Sequence, residues 1–141
     1  MTQEQKQLLL KDLCARIPYE TRVRYSYAFA GAAGINEYST EGTLSYDKLQ
    51  DFSLPNVGYE RRRVVCILPY LRPMSSMTEE EKHELYNIRP YFINSDNIVS
   101  GTQCNTFIQA SECQDWLNTH HFDYRGLIEK GLALEAPEGM Y

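Results

Sequence analysis

The chain has 141 residues and a formal net charge of −5, with 43% hydrophobic and 23% charged residues. That length fits one domain with a sizeable core, and the ordinary composition excludes wholesale disorder. Residues 1–73 carry ten basic and eight acidic side chains, whereas residues 74–141 carry four and eleven. The acidic second half would repel phosphate, so any nucleic-acid contact is expected on the first half.

No targeting or membrane segment is expected. The opening sequence MTQEQKQLLLKDL lacks the basic leader and apolar run of a secretion signal, and no apolar run approaches the ~20 residues that span a bilayer. The four cysteines are far apart, which indicates reduced thiols in a cytoplasm rather than a disulfide framework. We therefore predict a cytoplasmic location and no membrane contact.

The first predicted element is an amphipathic helix over residues 3–16. Thr2 and Gln5 have the spacing of a capping box. An apolar stripe with steps of three and four residues follows and ends before Pro18, and its members are Leu9, Leu10, Leu13, Cys14 and Ile17. Cys14 is thus expected in the core, as is Cys66 in a later strand.

Three strands are predicted next. Residues 21–30 alternate apolar and polar side chains, and the glycines of residues 31–34 mark a turn. Residues 42–46 predict a second strand, with Leu44 and Tyr46 on one face. The run 64–68 is apolar on both faces, which predicts that strand 61–68 is central. Pro69 and Pro73 bracket a predicted extended connector.

The second half predicts helices. Thr78 and Glu81 form a strong helix start, and Ser111 with Gln114 is a second candidate start. Asp123 is expected to cap a final helical turn. Residues 91–93 are a candidate short strand.

This order predicts a single α+β domain over 1–141, with helix plus sheet in 1–73 and a mainly helical part in 74–141. The sheet is expected to be small, antiparallel and curled or barrel-like. It packs with the N-terminal helix and with C-terminal helices, and the block 115–141 closes with the first helix over one sheet face.

Three segments carry a resemblance: LLLKDLCARIPY (8–19), PYLRPMSSMTEEEKHEL (69–85) and WLNTHHFDYRGLIEKGLALEAPEGMY (116–141). In these segments the chain resembles a family of uncharacterised proteins from gut anaerobes of the Bacteroides group and from their phages and mobile elements. The resemblance implies provenance and a cytoplasmic setting, and it brings no activity, cofactor or functional residue.

The sequence gives little support for a catalytic site or a metal site. Cys104, Cys113, His120 and His121 lie in one region, but no pair has the two-to-four-residue spacing typical of zinc sites. One histidine is expected to pack on Trp116 and the other to lie in solvent. No glycine-rich phosphate loop is present. We predict no catalytic residues, no cofactor and no metal site, and an enzyme is the less favoured interpretation.

Two binding functions remain. Arginines on two strands are candidate nucleic-acid contacts, or else they lie on a solvated sheet face and pair with the acidic second half of the chain. Arg22 and Arg24 alternate with Tyr25 and Tyr27 and so lie on the opposite face of their strand. The candidates are Arg22, Arg24, Arg61, Arg62 and Arg63. The leading hypothesis is an accessory or regulatory protein that binds another protein or a second copy of itself, because tyrosine is enriched at interfaces. Its candidate interface residues are Tyr70, Trp116, His120, His121, Tyr124 and Tyr141. The segment 136–141 is expected to dock on its own domain or on a partner, or else to be frayed.

Overall fold

The computed structural model describes residues 1–54, 60–88 and 107–141, the side chains of 107–110 excepted. Its helices are α1 (Gln3–Arg16), α2 (Tyr46–Ser53), α3 (Glu79–Ile88) and α4 (Phe107–Thr119). Its strands are β1 (Arg22–Gly31), β2 (Gly34–Thr43), β3 (Arg63–Leu71) and β4 (Leu134–Glu135), and two short 3-10 turns cover Ile17–Tyr19 and Met74–Ser76. The predicted strand 91–93 and Cys104 lie outside the described residues. Within those residues, no helix is both long and apolar enough to cross a membrane.

The sheet has the strand order β2-β1-β3-β4 and forms a curled half-barrel. Strand β1 pairs antiparallel with both β2 and β3. The short β4 pairs parallel with the end of β3. The predicted α+β class and the curled sheet are confirmed, and β4 makes the sheet mixed. Strand β3 is interior, as its two apolar faces predicted.

Helix α1 has the predicted bounds and capping box, since Thr2 Oγ1 accepts a hydrogen bond from the Gln5 N–H. Its buried stripe differs from the prediction. The buried residues are Leu9, Asp12, Leu13 and Arg16, while Cys14 is exposed. The prediction of Cys14 as a core residue is therefore wrong, because the charged pair Asp12 and Arg16 occupies the inward face.

The second predicted strand is also wrong in its bounds. Strand β2 begins immediately after the turn, runs from Gly34 to Thr43, and is exposed along almost its whole length. Tyr46 opens α2 instead of ending a strand, and it is 69% exposed. A strand exposed on both faces needs no apolar alternation, so its sequence carries no period-two signal.

The predicted connector at Pro69 belongs to β3, which continues to Leu71. The Leu44 N–H donates to the Thr21 carbonyl, which fixes the β1–β2 ladder: odd-numbered residues of β1 bond to β2 and even-numbered ones to β3. Pro69 lies opposite Val23. Its missing N–H therefore points away from β1, and the proline breaks no hydrogen bond of that ladder.

Of the helix starts predicted at Thr78 and at Ser111, the structure confirms the first and contradicts the second. Thr78 Oγ1 accepts from the Glu81 N–H and the Glu81 carboxylate accepts from the Thr78 N–H, which confirms the predicted start of α3. Ser111 lies inside α4, which begins at Phe107, so the capping box predicted there is wrong.

Asp123 accepts the hydrogen bonds of a cap, as predicted. The chain after it forms turns and not the predicted helical turn. Its carboxylate accepts from the N–H groups of Leu127 and Ile128 at 2.8 and 2.9 Å. Gly131 has a positive φ of 68° and ends these turns. The Leu132 N–H then donates to the Leu127 carbonyl, in the manner of a Schellman motif.

Two apolar clusters hold these elements together. The first lies under the sheet and joins α1, α2, β1 and β3 to the segment 127–133. The second lies between α3 and α4, where Leu85, Leu117 and Phe122 are buried and Trp116 packs at its edge. The block 115–141 thus shares the core of α1 through its later part, whereas Trp116 belongs to the second cluster.

Candidate protein-interaction surface

Strand β2 is an edge of the sheet, and no described strand pairs with its outer side. Nine of its ten residues are exposed. It contains no proline, lysine or arginine, which are common devices for blocking strand addition at an edge. We call the outer side of residues 35–41 the β2 edge.

The β1–β2 register determines which backbone groups of the β2 edge are unpaired. Because Leu44 and Thr21 form a hydrogen-bonded pair, even-numbered residues of β2 bond to β1. The N–H groups of Ile35, Glu37, Ser39 and Glu41 therefore point outward. The Glu41 carbonyl accepts from Thr40 Oγ1 at 3.2 Å. The edge thus presents four N–H donors, together with the three outward carbonyls of Ile35, Glu37 and Ser39. These groups have the spacing at which another strand could form hydrogen bonds with β2.

The outer sheet face carries charge and hydroxyl groups beside this edge. Ser39 Oγ lies 3.0 Å from Ser26 Oγ. Glu41 accepts a hydrogen bond from Tyr70 Oη at 2.7 Å and lies 3.8 Å from the Arg24 guanidinium. Glu37 makes no hydrogen bond or ion pair with any described residue. Among the described residues, the edge therefore carries one carboxylate without a charged partner and one partly neutralised carboxylate on the same face.

The inner sheet face carries aromatic rings beside the same edge. The rings of Tyr27 and Tyr38 stack at 5.2 Å, and Phe29 meets Tyr38 edge-on at 6.4 Å. The Arg62 guanidinium lies 5.2 Å from the Tyr27 ring centre and donates to Tyr38 Oη at 2.8 Å. An open recess of about 460 Å³ is lined by Phe29, Tyr38, Arg62 and their neighbours.

The arginines predicted as nucleic-acid contacts are largely engaged with acids of the first half of the chain. Arg24 pairs with Glu41, while Arg61 and Arg63 lie 3.6 and 3.7 Å from the Asp51 carboxylate. Arg63 is buried, and Arg22 is half-buried. Arg62 is the member of the set that shares a face with Tyr27.

Among the predicted interface residues, Trp116 and His120 form one unit. Their rings stack at 4.0 Å, and His120 Nδ1 lies 2.9 Å from the Trp116 carbonyl. The indole N–H donates to Glu84 at 3.3 Å, which ties α4 to α3. Both rings are half-buried, so part of each remains available to a partner.

His121, Tyr141 and Tyr70 form a second, mostly internal unit. His121 is 8% exposed, so the prediction that the second histidine lies in solvent is wrong. Its ring stacks on Tyr141 at 3.7 Å. Desolvation, and next to it the Arg16 charge, lowers the pKa of His121 from 6.5 to about 4. The residue occupies the left-handed position that ends α4, with φ 60°, and no sequence signal marked a histidine there.

The Tyr141 hydroxyl bridges two strands. It donates to the Tyr70 carbonyl at 2.9 Å and accepts from the Arg22 N–H at 3.0 Å. It therefore takes the place of a direct β1–β3 hydrogen bond beyond the Val23–Pro69 pair. Tyr141 is 43% exposed and Tyr70 is 6% exposed. Segment 136–141 docks on its own domain, and Tyr70 presents little surface to a partner.

A buried charge network lies behind Tyr124. Arg16 Nε donates to the Asp12 carboxylate at 2.7 Å, and Arg16 also donates to the Phe122 carbonyl at 2.8 Å. Arg125 Nε donates to Asp12 at 3.1 Å. The guanidinium of Arg16 lies 5.3 Å from the Tyr124 ring centre. The spacing of Asp12 and Arg16, four residues apart on a helix, was the available sequence signal for this pair.

Cysteine and carboxylate chemistry has no assembled site within the described ranges. Cys113 is buried, Cys66 is half-buried rather than a full core residue, and burial raises the pKa of the Cys66 thiol. In the part of the chain that the structure describes, no three His, Cys, Asp or Glu residues are grouped to hold a metal ion. A polar cleft of about 620 Å³ lies between Arg72, Glu81 and Tyr141, where the Arg72 guanidinium is already bound to the Glu81 carboxylate.

No protein-family profile, curated protein or solved structure matches this chain.

Proposed function

We propose that the protein is a small cytoplasmic accessory or regulatory factor that binds another protein along the β2 edge. The observation that carries this proposal is the row of outward N–H groups at Ile35, Glu37, Ser39 and Glu41. An extended segment that adds to such an edge gains affinity from main-chain hydrogen bonds and specificity from alternate side chains. No catalytic activity is part of the proposal.

Two features support this mode over contacts elsewhere. Strand β2, which carries this edge, is ten residues long and exceeds the usual strand length of about five or six. Exposed aromatic and aliphatic side chains lie on both faces beside it, since Tyr38 and Ile35 are 38% and 57% exposed. Such side chains provide the apolar contacts that main-chain pairing alone does not supply.

The test is selection of 12-residue peptides from a random displayed library on the purified protein. We expect enriched peptides to lose about tenfold or more in affinity for Ser39→Pro, since proline removes one outward N–H and fits an edge strand. Ser39→Ala keeps that N–H and is the matched control. Failure to enrich any peptide, or equal affinity for Ser39→Pro and wild type, would contradict the proposal.

Nucleic-acid binding is a second proposal, supported by Arg62 beside the stacked rings of Tyr27 and Tyr38. Bases stack on such rings in proteins that bind single strands. Glu37, Glu41 and Asp51 offset the arginine charge in this region, which favours the protein-binding proposal. Salt-sensitive binding of single-stranded DNA that is lost in Tyr38→Ala would support the second proposal, and no binding at low ionic strength would exclude it.

A further inference from the structure

We infer that the segment bound at the β2 edge pairs antiparallel with β2 and carries two basic side chains four residues apart. This inference rests on the proposed function and specifies the chemistry of the partner. It depends on the fixed register of β2, on the charges of its outer face and on the exposed side chains of its two faces.

The outer face of the β2 edge is acidic. Glu37 and Glu41 both point to this face, about 13 Å apart along the strand. The strand has no basic residue of its own. Glu37 has no charged partner among the described residues, and Glu41 has the Arg24 guanidinium at 3.8 Å. An added strand therefore meets negative charge at two positions.

The register converts this charge pattern into a sequence pattern. In an antiparallel pair, directly opposite residues project to the same face, with Cβ atoms about 4.5–5.5 Å apart. The partner residues opposite Glu41 and Glu37 are four apart along the partner chain. Opposite charges at such positions stabilise the pair, and like charges destabilise it.

Exposed apolar side chains of β2 extend the pattern. If the first basic residue of the partner lies opposite Glu41, the residue three positions later lies opposite Tyr38 on the inner face. The residue six positions later lies opposite Ile35 on the outer face. The expected partner segment therefore reads basic, two residues of any type, apolar, basic, any residue, apolar.

A second copy of the chain is a poorer occupant. A pairing centred on Ser39 would place each Glu37 opposite a Glu41. In any antiparallel register, two β2 strands bring four glutamates to one face, with no basic residue on either strand. This charge discourages self-association along the edge, in the way that charged edge strands do in other sheets.

The test compares three nine-residue peptides by isothermal titration and by chemical-shift mapping. The first, TKTSVKTVT, places its lysines four apart. The second has the same composition with lysines three apart, so that both cannot lie on one face. The third carries glutamates in place of the lysines. We expect the first to bind about tenfold more tightly than either of the others, with shifts confined to the β2 edge.

Reversal of charge completes the design. The double variant Glu37→Lys with Glu41→Lys should prefer the glutamate peptide. Glu112→Lys with Glu129→Lys changes net charge equally at exposed sites away from the strand and should keep the wild-type preference. Equal binding of all three peptides at the β2 edge would overturn the charge inference and leave the proposed function standing. Binding of no peptide would overturn both.

Discussion

Asp12 and Arg16 are the charges on which the first helix depends. Both side chains are fully buried, four residues apart in α1, and Arg16 also reaches the Phe122 carbonyl. Arg125 contacts the same carboxylate from the other end of the chain. Removing one member of a buried pair leaves an uncompensated charge, whereas removing both is often tolerated.

We therefore expect Asp12→Leu to lower the free energy of unfolding by about 3–5 kcal/mol, measured by urea denaturation. The double variant Asp12→Leu with Arg16→Leu should recover much of that loss. The exposed Glu79, which pairs with Lys82, is the control, since Glu79→Gln should change the free energy of unfolding by less than about 1 kcal/mol. A loss for Asp12→Leu as small as the loss for Glu79→Gln would contradict this account.

His121 makes stability depend on pH. Its pKa is about 4 in the folded chain and about 6.5 when unfolded, so the unfolded chain binds more protons between these values. The stabilisation is complete above pH 6.5 and is lost as the pH falls towards 4. From pH 7 to pH 5 we expect the free energy of unfolding to fall by about 1–2 kcal/mol.

The measurement is urea denaturation of wild type and His121→Asn at both pH values. Asparagine tolerates the left-handed backbone and does not titrate, so the loss between pH 7 and pH 5 should shrink. An equal loss in the two proteins would show that other groups carry the pH dependence.

At the scale of elements, Glu81 joins the start of α3 to the end of β3. Its carboxylate caps the Thr78 N–H and accepts both Arg72 bonds at 2.7 and 2.8 Å. The hydrogen bonds from Arg72 lower the pKa of Glu81 to about 2, so its contribution is present above pH 4.5 and is lost as the pH falls towards 2.

Glu81→Gln should lower the free energy of unfolding by about 1–3 kcal/mol. This loss exceeds the roughly 1 kcal/mol expected for Thr78→Ala, which removes the other half of the helix cap. Glu80→Gln is the control, because Glu80 is an exposed neighbour in the same helical turn. Thermal and urea unfolding at pH 7 measure how much stability each variant loses and so rank the variants. Equal effects of Glu81→Gln and Glu80→Gln would show that the Arg72 contact contributes nothing.

Segment 136–141 is held at the end of the sheet by the Tyr141 hydroxyl and by the hydrogen bond from the Ala136 N–H to the Leu71 carbonyl. Tyr141→Phe keeps the ring against His121 and removes the bonds to Arg22 and Tyr70. We expect the free energy of unfolding to fall by about 1–3 kcal/mol and the Arg22 amide to exchange its hydrogen faster. Tyr46→Phe, at an exposed ring, is the control and should change neither quantity. Unchanged exchange at Arg22 would contradict the bridging role.

At the scale of the whole molecule, the sequence predicted those helices and strands whose burial requires a recognisable pattern of apolar residues. Helix α1 and strand β1 follow from apolar periodicity, and the interior strand β3 follows from a continuous apolar run. The start of α3 follows from its capping residues. Strand β2 was not predictable in this way, because nine of its ten residues are exposed and, among the described strands, it pairs with β1 only. The candidate site was missed for the same reason, since hydrophobic patterning does not mark an unpaired backbone edge.

The charge partners of the arginines on and beside the sheet were likewise not predictable from the sequence pattern. The arginines of β1 and of the approach to β3 were expected to face nucleic acid or the acidic second half. Glu41 and Asp51 of the first half engage Arg24, Arg61 and Arg63 instead. The register and the loop path decide such partners, and neither can be read from residue spacing alone.

Amide hydrogen exchange of the free protein by NMR tests the open β2 edge most directly. We predict alternation along the strand: fast exchange at Ile35, Glu37, Ser39 and Glu41, and protected amides at the even-numbered residues that bond to β1. Uniform protection along residues 35–41 would mean that the edge is covered. That result would contradict the proposed mode of binding.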